Sequence, residues 1–182
     1  MAAKTKGKKA AKKKVVKAKT SGKPKKPQAV PAGYHTATPY LVIRGAANAI
    51  DFYKKAFGAV ARGQMPGPGG LVMHAEITIG NSIVMMCDEM PGMERWLSPD
   101  SLKGTTAAVH LYVEDADALF ARAVAAGAKV SMPLMDAFWG DRFGKLTDPF
   151  GHEWTVATHK HDYTPDQMKK NAEAFFAQFQ KQ

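Results

Sequence analysis

The stretch FWGDRFGKLTDPFGHEWTVATH, residues 138–159, decides the fold. At its centre Asp148-Pro149-Phe150-Gly151 is a turn with a mechanism: proline presets φ at the first central position, and glycine takes the positive φ that closes the turn. Apolar and β-prone residues run outward on both sides, which predicts a hairpin.

Working outward from the hairpin, the chain follows one plan twice. Upstream of it, Ala107 to Val113 reads as a strand, Asp115 as an N-cap, the run to Ala126 as a helix and Gly127 as its stop, before strands near 129–134, 138–147 and 152–158. In the first half, Thr38 to Ile43 is a strand, and Ile50, Tyr53 and Phe57 sit at helical spacing ahead of Gly58. Strands follow at about 59–65, 71–79 and 82–88, the last two joined through Gly80-Asn81. Ile43 with Val113, Gly58 with Gly127 and Gly80 with Gly151 recur 69–71 residues apart, which is the signature of a duplicated βαβββ unit.

The fold expected is α+β, with paired βαβββ modules forming a cup-shaped mixed sheet. It occupies residues 34–161, with halves at about 36–90 and 105–161. Residues 162–182 form a C-terminal helix, with Thr164 as N-cap, Pro165 at its first position, Gln167 completing a capping box, and Met168, Phe175, Phe176 and Phe179 as an apolar stripe.

Charge divides the chain differently. Residues 1–30 hold twelve lysines and no acid, leaving 14 basic against 16 acidic side chains elsewhere, so the formal +10 belongs to the tail. Such a segment repels itself and buries nothing, and residues 1–33 are expected to be disordered. The tail suits non-specific contact with nucleic acid through residues 1–30. No run approaches the roughly 18 apolar residues of a membrane span, and Cys87, the lone cysteine, fits a reducing compartment. The expected location is cytoplasmic, with the tail offering nucleoid or nuclear association.

The helix motif AIDFYKKAFGA, the strand MHAEITIGNSIVMMCDE and the closing WGDRFGKLTDPFGHEWTVATH together resemble the vicinal oxygen chelate superfamily of glyoxalases, bleomycin-resistance proteins and extradiol dioxygenases. Its PhnB-like, glyoxalase-like branch is the nearest in pattern, and the resemblance covers about residues 36–161. It implies a homodimer and a ligand cleft on the concave sheet face. In the chelating enzymes a divalent metal held by His, Glu or Gln acts as a Lewis acid. Carried over, those ligand positions fall on Thr38, on one of Val84, Met85 and Met86, on Ala108 and on Thr155, none a usual ligand for such a metal. No cofactor is therefore expected at the family positions.

A relocated divalent metal site would use His74, Glu76 and His110, the first two sharing a strand face and His110 sharing one with Ala108. The same three residues are the candidates for acid-base catalysis. Tyr40, Tyr112, Trp139, Asp141 and Arg142 are the candidate ligand-binding set: aromatic surface, hydroxyl donors and a planar guanidinium for an anionic group. The connection DEMPGMERWLSPDSLKG between the halves is long enough to be a lid. Three functions compete on these residues: a small-molecule-binding glyoxalase-like protein without the usual metal, a lyase or isomerase built on the His/Glu set, and a nucleic-acid-associated protein.

Overall fold

The computed structural model describes residue 1 and residues 27–179. Residues 2–26, which hold all twelve lysines of the tail, lie outside the described residues, and with them the disorder and nucleic-acid contact expected of that segment. In the first half β1 (Tyr40–Ile43), α1 (Ala46–Phe57), β2 (Val60–Pro66), β3 (Val72–Ile79) and β4 (Ser82–Asp88) follow in order. A short helix α2 (Pro99–Leu102) interrupts the connection. The second half repeats the order with β5 (Ala108–Tyr112), α3 (Ala116–Ala126), β6 (Lys129–Asp136), β7 (Asp141–Thr147) and β8 (Glu153–His159), and α4 (Pro165–Phe179) closes the chain.

The halves have one topology. The first sheet is ordered β1-β4-β3-β2 and the second β5-β8-β7-β6, with the first and last strands of each half parallel and the remaining pairs antiparallel. The paired modules expected from the sequence are present as two four-stranded sheets that do not fuse into one. The reason is local: β1 and β5 would have to pair to join them, and each remains a sheet edge.

Alternation along the strands assigns the faces. Leu41, Ile43, Ala75, Ile77, Val84 and Met86 turn toward α1, while Leu146, Trp154 and Val156 turn inward in the second half, and all are buried in one core. Helices α1 and α3 pack together, and Arg122 Nε donates to the Ala56 carbonyl at the end of α1 at 2.8 Å. Gly144 permits the close approach of α3 to its sheet, because a Cβ there would stand 2.8 Å from the Phe120 ring. The helix ends match the sequence signals: Asp115 accepts from Ala118 N, Gly58 and Gly127 adopt left-handed C-caps, and Thr164 and Gln167 form the reciprocal capping box. Helix α4 rests on its own domain, with Phe138 against Phe175 and Phe176. Strand β2, close to the strand expected at about 59–65, is held by its pairing with β3.

Asp148, in the hairpin turn, joins the halves. Its buried carboxylate accepts from Tyr53 Oη at 2.7 Å, Trp154 Nε1 at 2.9 Å, and the backbone N–H groups of Phe150 and His152 at 2.9 Å each. Burial first, then the neighbouring Asp148 charge, pushes the Tyr53 hydroxyl well above its ordinary pKa and keeps it a donor. Asp148→Ala strands these donors in the core and is expected to lower stability by about 3 kcal/mol or more in urea unfolding. Tyr53→Phe removes one partner and is expected to cost about 1.5 kcal/mol, so equal losses for the two variants would contradict this account.

Candidate functional site

Because β1 and β5 are unpaired edges, a groove of about 870 Å3 opens between the halves. Tyr40 and Val42 line it from one side, Ala108 and His110 from the other, and Leu97 and Pro99 of the connector wall it. The volume lies within the range of about 300–1,000 Å3 usual for small-molecule sites. At its base His152 reaches the Val42 carbonyl, 3.2 Å from Nε2, and burial keeps the imidazole below its ordinary pKa despite the nearby Asp148.

The connector is fastened in place. Glu89 accepts from the Ser98 hydroxyl at 2.6 Å, from Ser98 N at 3.2 Å and from the Ser101 hydroxyl at 2.8 Å, and Arg44 lies 3.8 Å away. The Ser98 hydroxyl hydrogen bond leads the causes that hold the Glu89 carboxyl below its ordinary pKa. The connector, long enough to be a lid, is thus in this structure a wall fastened at Ser98 and Ser101.

On the first sheet, Tyr40, His74 and Glu76 form a chain. Tyr40 Oη lies 3.1 Å from His74 Nδ1, and His74 Nε2 lies 3.2 Å from Glu76 Oε1. Arg62 on β2 pairs with Glu76 at 3.4 Å, and the Tyr34 hydroxyl hydrogen-bonds the same carboxylate. The Tyr34 bond is the main cause of a lowered Glu76 pKa, with His74 and Arg62 adding to it against burial. The Tyr40 hydroxyl is pushed up to about 12, by burial first and then by Cys87 nearby; the Cys87 sulfur accepts from Trp96 Nε1 at 3.0 Å.

A second polar set lies on the other sheet. His110 Nδ1 is 2.6 Å from the Thr155 hydroxyl, and the His110 ring meets Tyr112 edge-on. Asp141, only 3% exposed, accepts from Tyr112 Oη at 3.0 Å and Trp139 Nε1 at 2.9 Å, and lies 2.7 Å from His159 Nδ1. Burial pushes its carboxyl up, but the hydrogen bonds from His159, Trp139 and Tyr112 together outweigh burial and leave the pKa below its ordinary value. His159 is bound at its other nitrogen to Asp162, 3.0 Å away; the Asp141 bond is the larger cause of its raised pKa and the Asp162 bond the next.

The structure therefore divides the residues singled out in the sequence. Tyr40, His74 and Glu76 come together; His110 stands with Tyr112 and Thr155 on the other sheet; Tyr112, Trp139 and Asp141 form the third group. Arg142 is turned the other way, with Nη2 2.8 Å and Nε 3.1 Å from Asp117 and Nη1 3.6 Å from Asp136. Strand alternation separates it from Asp141, its sequence neighbour. Sequence reasoning missed Tyr34, Arg62, His152, Asp148 and the bridging role of His159; equal steps outward from the turn 148–151 would pair Asp141 with Thr158, and the pairing with His159 comes from the observed register, which is centred on Phe150.

The donors do not fit a chelated metal. Thr38 is bound to the His35 carbonyl, Met85 stands beside Tyr40 in the strand register, Ala108 has no donor side chain, and Thr155 is engaged by His110. Among the described residues no group of three or more His, Cys, Asp or Glu is placed to hold a metal ion, so His74, Glu76 and His110 do not form the relocated ligand set.

Residues 34–156 match the family described as the Glyoxalase/Bleomycin resistance protein/Dioxygenase superfamily, and the chain belongs to it. The Mycobacterium tuberculosis protein Rv0887c is 45% identical over 134 residues, covering 72% of this chain and 79% of its own length. The crystal structure of the Arabidopsis thaliana At5g48480 product is 31% identical, covers 68% of this chain and 98% of that one, and has a TM-score of 0.54. The PhnB protein of Bacillus cereus, 22% identical with a TM-score of 0.52 over 68% of this chain and 99% of its own, shares the fold. No helix among the described residues is long and apolar enough to cross a membrane.

The His159 bridge has a sign that can be tested. A histidine whose folded pKa is raised stabilises the fold fully below its unfolded value of about 6.5, and that stabilisation is lost as pH rises through the folded pKa. The stability difference between the natural protein and His159→Gln, from urea unfolding at a series of pH values, is expected to be largest below pH about 6.5 and to shrink above it. A difference that is flat with pH, or grows toward alkaline pH, would contradict the bridge.

Proposed function

We propose that this protein binds a small organic molecule in the groove between β1 and β5, using the glyoxalase-like scaffold without the superfamily's usual metal. The observation that carries this reading is the groove itself: about 870 Å3, largely apolar, and open between two sheet edges that the fold leaves unpaired. Its polar points are few and separated, with Tyr40 and His110 on opposite sides and His152 and Glu153 at the base. An apolar body with a small number of placed polar groups is the usual composition of a small-molecule site. The Bacillus cereus PhnB neighbour supports placement in the PhnB-like branch.

Of the ligand-binding residues expected from sequence, Tyr40 lines the groove, and Tyr112 meets the ring of His110, a lining residue, edge-on. Trp139 and Asp141 act on it indirectly, through the Tyr112 hydroxyl that Asp141 holds. Arg142 belongs to the α3 side and has no part in this site.

Binding of a fluorescent anilinonaphthalene sulfonate probe tests the proposal. Ala108→Trp fills the groove from an exposed strand position and is expected to weaken the probe's binding about tenfold or more, with the urea midpoint unchanged. Equal binding by the two proteins would overturn the groove as the site.

A further inference from the structure

The chain Tyr40–His74–Glu76 runs from the groove wall to a carboxylate held by Arg62 and Tyr34. Its members come from different strands, β1 for Tyr40 and β3 for His74 and Glu76, so the chain exists only because the sheet places β4 between them. Its polarity follows from hydrogen-bond chemistry. A carboxylate only accepts, so His74 donates its Nε2–H to Glu76, which leaves Nδ1 as an acceptor. The Tyr40 hydroxyl then donates to Nδ1, and its oxygen keeps only lone pairs for anything in the groove.

We propose that this chain is a proton relay, and that the groove takes a weakly acidic hydroxyl compound, a phenol or an enol, which it binds as the conjugate base. The inference rests on the groove being the ligand site. As the ligand docks, its O–H bond breaks and its proton goes to the Tyr40 oxygen. The former Tyr40 proton passes to His74 Nδ1, breaking one O–H bond and forming one N–H bond. The ligand oxygen, now anionic, accepts a hydrogen bond from the neutral Tyr40. No proton enters or leaves the complex, and no electrons are transferred.

The charges around the relay suit this transfer. Facing His74 are Glu76 on its own strand, Arg62 across on β2, Tyr40 on β1, Cys87 on β4 beside Tyr40, and Tyr34 from the segment before β1. Arg62 and Glu76 cancel before binding; afterwards the imidazolium and the ligand anion cancel as well. Tyr40, whose hydroxyl is pushed up to about 12, passes the proton without holding the negative charge itself. Glu76 is ionised at neutral pH, as the receiving end requires.

4-Nitrophenol is a suitable probe, because its ionised form absorbs in the visible and its neutral form does not. At a pH about one unit below its own pKa, addition of the natural protein is expected to raise nitrophenolate absorbance, with the bound probe's ionisation ratio shifted about tenfold or more. Tyr40→Phe and His74→Gln are expected to bind the probe in its neutral form, without the rise, and Glu76→Gln to lose most of it. Circular dichroism and the binding of the anilinonaphthalene sulfonate probe establish that each variant is folded with its groove intact. A variant that fails this check is replaced by Arg62→Gln, which loosens Glu76 from the surface and is expected to reduce the rise.

The relay is overturned if the natural protein binds nitrophenol with its ionisation unchanged, if His74→Gln retains the rise, or if nitrophenol does not bind while the sulfonate probe does. In that last case the groove stands without the relay. If neither probe binds the natural protein, both readings fall.

Discussion

The structure depends on one buried carboxylate. Asp148 collects two side-chain donors and two backbone donors inside the protein, and one of them, Tyr53, belongs to the other half of the chain. Burying a charge is costly unless its acceptor sites are filled, and here the turn residues and Trp154 fill them before the first half contributes anything. The hairpin turn is thus a preorganised receptor for the hydroxyl of helix α1. Tyr53 packs on Trp154 at 5.2 Å between ring centroids and on Phe57 at 5.9 Å, so the hydrogen bond and the aromatic core of both halves are one unit.

The first half uses a carboxylate for a different task. Asp88, at the end of β4, accepts from Gly45 N and Ala46 N at 2.8 Å and from Val72 N at 2.7 Å, satisfying the open N-terminus of α1 and tying it to β3. In the second half Thr158 takes that place, accepting from Ala116 N at 2.8 Å while donating to the Val113 carbonyl at 2.8 Å. The duplicated halves solve the same helix-start problem with different chemistry. Only one has a second carboxylate to spare in its turn, and that is the one that binds the halves together. With the interface fixed on the helix side by Tyr53 and Arg122, the first strands β1 and β5 are held side by side without pairing. The groove follows from that offset.

Local features read well from the sequence. Gly58, Gly127 and Gly151 all adopt positive φ where helix stops and a turn were expected, and the recurrence of these landmarks gave the two-module topology. The repeat could not show whether the modules fuse their sheets, because that depends on whether two edge strands meet, a question of tertiary geometry with no periodic signal. Site residues were legible in type but less so in grouping. Alternation alone separates Asp141 from Arg142, a relation present in the sequence, whereas outward counting from Asp148-Pro149-Phe150-Gly151 gives Thr158 for Asp141 and misses His159 by one residue, because His152 also belongs to the loop. The pairing of Tyr53 with Asp148, 95 residues apart, was not legible, since both residues also fit the plain roles of helix core and turn.

The register equivalence of the halves also explains why the candidate site is asymmetric. Tyr40 stands beside Met85 in the parallel pair of the first sheet, and His110 stands beside Thr155 in that of the second. Met85 and Thr155 are among the positions onto which the superfamily's metal ligands carry over. Met85 offers only a soft thioether, and Thr155 is already engaged by His110, so neither pair supplies the hard oxygen donors of a chelate site. What the first sheet carries instead, one strand farther out, is a carboxylate and an imidazole linked to a phenol at the groove. A fixed cation stabilises a ligand anion by standing charge; a chain of donors can do so by moving a proton away and leaving the positive charge on the imidazole. On the second sheet the order differs: Asp141 accepts directly from Tyr112, Trp139 and His159 and holds Tyr112 in place. Under the proposed reading the duplicated fold divides the labour, with charge handled on one wall of the groove and shape maintained on the other.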